Sequence, residues 1–65
     1  MTAEKEKKYR HLIARFESTR HSFVNVISEE ELENGQCKVV AALRCFKYVY
    51  IFKGEGIVGS WRVIA

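Results

Sequence analysis

The sequence contains no proline and no aspartate, and it has only four glycines and two cysteines among its 65 residues. With few chain breakers and 48% hydrophobic residues, its composition is not that of a disordered segment. A domain of this length buries only about 60% of its unfolded surface, so we expect marginal stability. We therefore expect residues 1–65 to form one small domain, as a monomer or as a homodimer.

Long apolar runs are also absent. No stretch approaches the roughly 18 residues of a membrane span, and the charged start lacks the apolar core of a secretory signal. Cys37 and Cys45 are about 12 Å apart along a helix and farther along a strand, whereas bridged Cα atoms lie within about 7 Å. We expect a soluble, cytoplasmic protein with two reduced thiols and no membrane partner.

Residues typical of catalytic and metal sites are sparse. All eight acidic residues are glutamates, and no Gly-x-Ser-x-Gly or phosphate-binding glycine motif is present. The candidate metal ligands are His11, His21, Cys37 and Cys45, but they form neither a CxxC motif nor a closely spaced histidine pair. We expect a protein that is not an enzyme and that uses no cofactor and no metal.

Charge is distributed unevenly along the chain. Residues 1–22 carry six basic residues and three glutamates, and residues 23–35 carry four glutamates and no Lys or Arg. Residues 36–65 carry five basic residues and one glutamate. Two basic segments around an acidic one fit a sided molecule whose basic surface meets phosphate groups or an acidic protein, and they fit an ordinary solvated surface equally well.

The clearest predicted element is a helix over residues 3–17. Thr2 is a suitable N-cap, and glutamates in the first turn suit the positive end of the helix dipole. Apolar residues recur at helical spacing, namely Tyr9, Leu12, Ile13 and Phe16.

The middle of the chain predicts a short strand and two further helices. Residues 23–27 are rich in β-branched residues and predict a strand. Ser28 and Glu31 form a capping box, which predicts a short helix over residues 28–33. The following Asn34-Gly35 pair is suited either to end that helix or to turn a hairpin.

From Gln36 to Phe46 the apolar residues follow a helical period. The period places Val39, Val40, Leu43 and Phe46 on one face. The opposite face is basic and includes small residues, namely Lys38, Ala41, Arg44, Cys45 and Tyr48. We therefore predict a third helix over residues 36–46.

The end of the chain predicts a β-hairpin with strands over residues 48–52 and 60–65. Alternation places Val49, Ile51, Trp61 and Val63 on one face, and Tyr48, Tyr50, Phe52 and Arg62 on the other. The predicted core combines the helical stripes with one strand face: Tyr9, Leu12, Ile13, Phe16, Val40, Leu43, Trp61 and Val63. The expected class is α+β, with an N-terminal helix, two short helices and a C-terminal hairpin.

This order of elements resembles that of winged helix-turn-helix domains. SEEELENGQCKVVAALRCF is similar to their paired helices, and YVYIFKGEGIVGSWRVI is similar to their hairpin and wing. The resemblance implies a small regulator that binds duplex DNA. Gln36, Lys38 and Arg44 would contact the major groove, and Lys53 and Arg62 would contact the phosphate backbone.

A second resemblance is local. FESTRHSFVNVISEEEL and the closing GSWRVI are similar to small phage proteins that inhibit host enzymes such as RNA polymerase. This alternative implies a β-hairpin, a helix and a strand, with residues 11–17 as a strand paired to residues 23–27. It also implies binding to a larger host protein, through the aromatic face of the hairpin with Tyr48, Tyr50 and Phe52, through the edge of the last strand or through the acidic cluster. Those aromatic residues, among Lys47, Lys53 and Arg62, also fit a stacking surface for single-stranded nucleic acid, a second layer of core or a dimer interface.

Overall fold

The computed structural model describes residues 2–63. It contains α1 (Ala3–Glu17), β1 (Val24–Glu31), β2 (Gln36–Leu43), β3 (Phe46–Lys53) and β4 (Gly56–Val63). The strands form one antiparallel sheet in the order β1-β2-β3-β4, so each pairs with its neighbours in sequence. The class is α+β, but the predicted arrangement of three helices and a C-terminal hairpin is wrong.

Helix α1 has the predicted bounds because its signals are local. The Thr2 side chain accepts a hydrogen bond from the Lys5 backbone N–H at 3.2 Å. The helix ends at Ser18, whose backbone is left-handed with φ of 56° and whose N–H bonds to the carbonyls of Ala14 and Arg15. This C-cap turns the chain toward the sheet.

The predicted helices over residues 28–33 and 36–46 are replaced by strands. Residues 28–31 continue β1, and residues 36–43 form β2 as its antiparallel partner. An apolar run such as VVAAL fits a buried strand as well as a helix, and pairing on both sides of β2 decides for the strand. Within it, Val39 and Ala41 are fully buried while Val40 between them faces the other side of the sheet.

Left-handed residues make the tight turns. Asn34 and Gly35, with φ of 61° and 73°, connect β1 to β2, so this pair turns a hairpin. Arg44, with φ of 58°, lies between β2 and β3, at a position that was predicted to be helical. Gly54, with φ of 63°, lies between β3 and β4.

The final hairpin exists but differs in its bounds. Strand β3 begins at Phe46, and β4 begins at Gly56, so most of the predicted glycine-rich wing belongs to a strand. The predicted strand end at residues 64–65 lies outside the described residues. The alternative arrangement, with residues 11–17 as a strand, is also wrong because these residues are helical.

Helix α1 packs on one face of the sheet and encloses the core. The buried side chains in this layer are Tyr9, Ile13, Ala14, Val24, Val39, Ala41, Tyr50 and Phe52. Of the predicted core, Tyr9 and Ile13 are buried, and Leu12 and Leu43 are half-buried against the cluster. Phe16, Trp61 and Val63 are exposed instead.

The other sheet face, which we call the open face, is not covered by α1. The predicted alternation in the hairpin is confirmed by the pairing of Val49 with Trp61 and of Tyr48 with Arg62. The face that carries Tyr48, Tyr50 and Phe52 lies beneath the helix, and the face that carries Val49 and Ile51 does not. The open face therefore carries Val40, Val49, Ile51, Trp61 and Val63, together with Lys38 and Lys47.

Candidate functional site

The antiparallel register gathers basic residues at one end of the sheet. Leu43 pairs with both Val24 and Phe46, which places the end of β2 beside the starts of β1 and β3. The end of β4 lies there too, since Val63 pairs with Lys47. We call this region the arginine end and define it by Arg20, Arg44, Lys47 and Arg62.

A cleft of about 350 Å³ opens at the arginine end, between the C-terminus of α1 and the β2–β3 turn. Its aromatic and aliphatic lining comes from Phe23, Leu43, Phe46 and Tyr48. Arg44 and Glu17 provide its charged groups. The chain after the left-handed C-cap of α1 forms a 3-10 turn (His21–Phe23), and this turn places Phe23 against the end of β2 in the cleft.

Two arginines at this end stack on half-exposed phenylalanine rings. The Arg44 guanidinium carbon lies 5.7 Å from the centroid of Phe23, and that of Arg62 lies 5.0 Å from the centroid of Phe46. Phe23 and Phe46 are 46% and 49% exposed. Neither guanidinium forms an ion pair within residues 2–63. Stacking holds each planar group in place while its N–H donors remain available to an acceptor.

The residues predicted to contact DNA are divided between two parts of the sheet. Arg44 and Arg62 meet at the arginine end. Gln36 and Lys53 pair with each other at the opposite end, and Lys38 lies two residue pairs away from them, opposite Ile51. No helix carries Gln36, Lys38 and Arg44 as a recognition surface, because these residues belong to β2 and its turn.

The predicted protein interface is mostly internal. Tyr50 and Phe52 are 0% and 1% exposed and lie beneath α1. Tyr48 is half-buried and lines the cleft at the arginine end. Only Tyr48 of the three is therefore placed where a partner could contact it.

A second polar cluster lies at the opposite end of the sheet, beneath the first turns of α1. The Tyr9 hydroxyl donates a hydrogen bond to Glu29 Oε2. The Cys37 thiol lies 3.4 Å from both Glu29 Oε2 and the Tyr9 hydroxyl oxygen. The cluster borders a cavity of about 430 Å³, which Lys5 and Glu31 also line.

The protonation of this cluster follows from its hydrogen bonds. The Tyr9 hydroxyl, with a smaller contribution from Cys37, holds the pKa of Glu29 below its usual value despite partial burial. Burial raises the pKa of the Cys37 thiol, and the neighbouring Glu29 carboxylate adds to that effect. The thiol is therefore a protonated donor and Glu29 an ionised acceptor, which is the opposite of an activated nucleophile. Glu29 could not be recognised from the sequence as part of this cluster, because the helix predicted over residues 28–33 conceals its alternation toward α1.

We expect Tyr9→Phe to lower the free energy of unfolding by about 1.5 to 3 kcal/mol at neutral pH, the range for a hydrogen bond to a charged group. A depressed folded-state pKa stabilises the protein above the ordinary glutamate pKa, and this contribution is lost as pH falls through the folded-state pKa. The difference between parent and variant should therefore shrink on acidification. Urea denaturation at several pH values measures it.

Tyr48→Phe is the matched control for this substitution, since the Tyr48 hydroxyl makes no hydrogen bond within residues 2–63. Its effect should be small and independent of acid pH. A loss in Tyr9→Phe that stays constant through the titration of Glu29 would contradict the assigned hydrogen bond.

The four candidate metal ligands do not converge. The His11 and His21 rings are in contact, with centroids 4.4 Å apart. Cys37 and Cys45 are both free thiols, at the start of β2 and just beyond its end. Within residues 2–63 no three His, Cys, Asp or Glu side chains are arranged to bind a metal ion.

The chain matches no protein-family model, no curated protein and no solved structure. Within residues 2–63, no helix is long and apolar enough to cross a membrane. The arginine end combines a cleft, half-exposed rings and guanidinium groups without ion pairs within residues 2–63, so we take it as the candidate binding site.

Proposed function

We propose that this is a cytoplasmic protein that binds single-stranded nucleic acid at its arginine end. The observation that carries the proposal is the stacking of Arg44 on Phe23 and of Arg62 on Phe46 beside the cleft. Proteins that bind single strands combine basic grooves with aromatic rings on which bases stack. The exposed thiol of Cys45 suits a reducing compartment such as the cytoplasm.

The chemistry of the arginine end fits a phosphodiester chain. A guanidinium group binds a phosphate through paired N–H donors, and stacking on a ring already orients those donors. The exposed parts of Phe23, Phe46 and Tyr48 offer apolar surface to unstacked bases. The cleft therefore offers groups that bind both the backbone and the bases of a single strand.

The position of the charges favours the same ligand. Four basic residues define the arginine end, and Glu17 is the carboxylate that lines its cleft. The formal net charge is +3, so the rest of the chain is close to neutral. A positive field confined to one end attracts a polyanion to that end.

A single strand fits better than the duplex expected from sequence. The expectation of duplex binding rested on a recognition helix over residues 36–46, and these residues form β2 and its turn instead. The cleft, in contrast, is a short concave site, which suits a few unpaired nucleotides.

Binding can be measured by fluorescence anisotropy with a labelled single strand of about ten nucleotides. We expect affinity to fall with salt, with a log-log slope of about −0.7 for each phosphate neutralised. Arg44→Ala and Arg62→Ala should each weaken binding roughly tenfold and make the slope shallower. Lys53→Ala is the matched control: it removes an exposed basic residue at the opposite end of the sheet and should leave affinity unchanged.

Four outcomes would contradict the proposal. The first is the absence of salt-dependent binding at micromolar protein. The second is equal weakening by Lys53→Ala and Arg44→Ala, and the third is a preference for duplex of the same sequence. The fourth is stoichiometric recovery of a host protein such as RNA polymerase, in a complex that the Arg44 and Arg62 variants lose and that single strands do not displace.

A further inference from the structure

Strand β4 forms an exposed edge of the sheet. It pairs with β3 on one side, and its other side has no strand partner in residues 2–63. Native edge strands are usually blocked by charges, prolines or strong irregularities. Between Gly56 and Val63 the only charged residue is Arg62 and there is no proline, and the irregularity is a single bulge at Val58, because Ile51 pairs with Gly59 while Phe52 pairs with Ile57.

The other edge of the sheet, β1, is protected. Both edge strands contain one register shift, but β1 also carries consecutive glutamates at positions 29 to 31. Helix α1 packs along β1 as well. The two edges therefore differ in charge and in cover by the helix, and the backbone of β4 is the one that these features leave free for further pairing.

Apolar surface continues from the open face onto this edge. Val58, Trp61 and Val63 are 58%, 51% and 39% exposed. Trp61 pairs with the buried Val49, so its ring extends the apolar strip of the open face outward to β4. An added strand next to β4 would cover these side chains as well as the free backbone groups.

We propose that β4 pairs antiparallel with β4 of a second copy of this chain, which joins the two sheets into one. A twofold pair of identical strands closes on itself, so it requires only the surface that β4 already presents. Burial of further apolar surface also suits a chain of 65 residues, whose own core is small.

Charge favours the antiparallel direction and a second copy as the occupant. In that direction Arg62, near the end of one β4, approaches the start of the other β4, where Glu55 lies. Glu55 is 77% exposed, and its own ion pair with Lys8 is long, at 3.9 Å. A parallel pair would instead place Arg62 beside its own equivalent. Arg62 belongs to both proposed contacts, whereas Arg44 takes no part in this one, so Arg44→Ala distinguishes nucleic-acid binding from strand pairing.

Sedimentation equilibrium over a range of protein concentrations tests the pairing. We expect a monomer–dimer equilibrium in the parent, weakened about tenfold or more by Val58→Lys, because lysine is a common blocker of edge strands. Ile27→Lys is the matched control, since Ile27 is 48% exposed on the opposite edge strand. It should leave the dimer intact. Both variants should keep the far-UV circular dichroism spectrum of the parent.

Amide hydrogen exchange distinguishes edge pairing from association through the open face. If β4 strands pair, amides in β4 should gain protection as protein concentration rises. A protein that stays monomeric up to about 1 mM would overturn the proposal. So would a dimer that Ile27→Lys disrupts as strongly as Val58→Lys, or one that forms with no added protection in β4.

Discussion

Replacing Ala41 by glutamate is expected to unfold the protein, whereas the same replacement at Ala42 is expected to leave it folded. Ala41 is fully buried beneath α1, between its strand partners Val26 and Tyr48. A carboxylate there would be buried without a charged partner, at a cost that exceeds the roughly 5 kcal/mol a small domain holds. Ala42 lies on the open face opposite Lys47, where a glutamate gains an opposite charge.

Far-UV circular dichroism and urea denaturation of both variants measure this contrast. Comparing Ala41→Glu with Ala42→Glu also distinguishes a strand from a helix for residues 36–46. A helix with Val39, Val40 and Leu43 inward would expose Ala41 together with Lys38, so Ala41→Glu would be tolerated. A folded Ala41→Glu variant with parental stability would contradict the strand and its register.

Local signals explain why α1 could be predicted and β2 could not. The bounds of α1 depend on Thr2, on glutamates in the first turn and on an apolar stripe, all within the helix itself. The run from Val39 to Leu43 satisfies a helical stripe and a buried strand equally. The choice depends on pairing with β1 and β3, and these contacts lie outside the segment.

The helix predicted over residues 28–33 was wrong for a related reason. Ser28 and Glu31 have the spacing of a capping box, and consecutive glutamates are unusual in strands. Tertiary contacts compensate here, because Glu29 accepts the hydrogen bond from Tyr9 and Glu30 pairs with Lys38 across the strands. Neither partner is adjacent in sequence.

Of the candidate site, two arginines could be selected from the sequence, but neither their phenylalanine partners nor the geometry could. Arg44 and Arg62 were selected as basic residues for a nucleic acid, together with residues that lie toward the other end of the sheet. Their stacking on Phe23 and Phe46 depends on the register of all four strands and on the C-cap of α1. Once β2 was placed in a helix, neither the cleft nor its separation from Lys53 could be foreseen.

Replacing Phe52 by alanine is expected to cost about 3 to 5 kcal/mol, the range for a buried aromatic residue, and so to remove most of the stability. Phe52 is 1% exposed, and its ring lies 5.0 Å from that of Tyr9 between centroids. It joins the sheet to the first half of α1. Its loss therefore leaves a cavity where helix and sheet meet.

Phe46→Ala is the matched control, because Phe46 lies in the same strand and is 49% exposed. It should cost about 1 kcal/mol or less, since only part of the ring is removed from water in the parent. Urea denaturation of both variants at one protein concentration compares them and holds any self-association constant. Equal losses would contradict the placement of Phe52 in the core. A large loss for Phe46→Ala alone would mean that the arginine end, and not the layer beneath α1, holds the fold together.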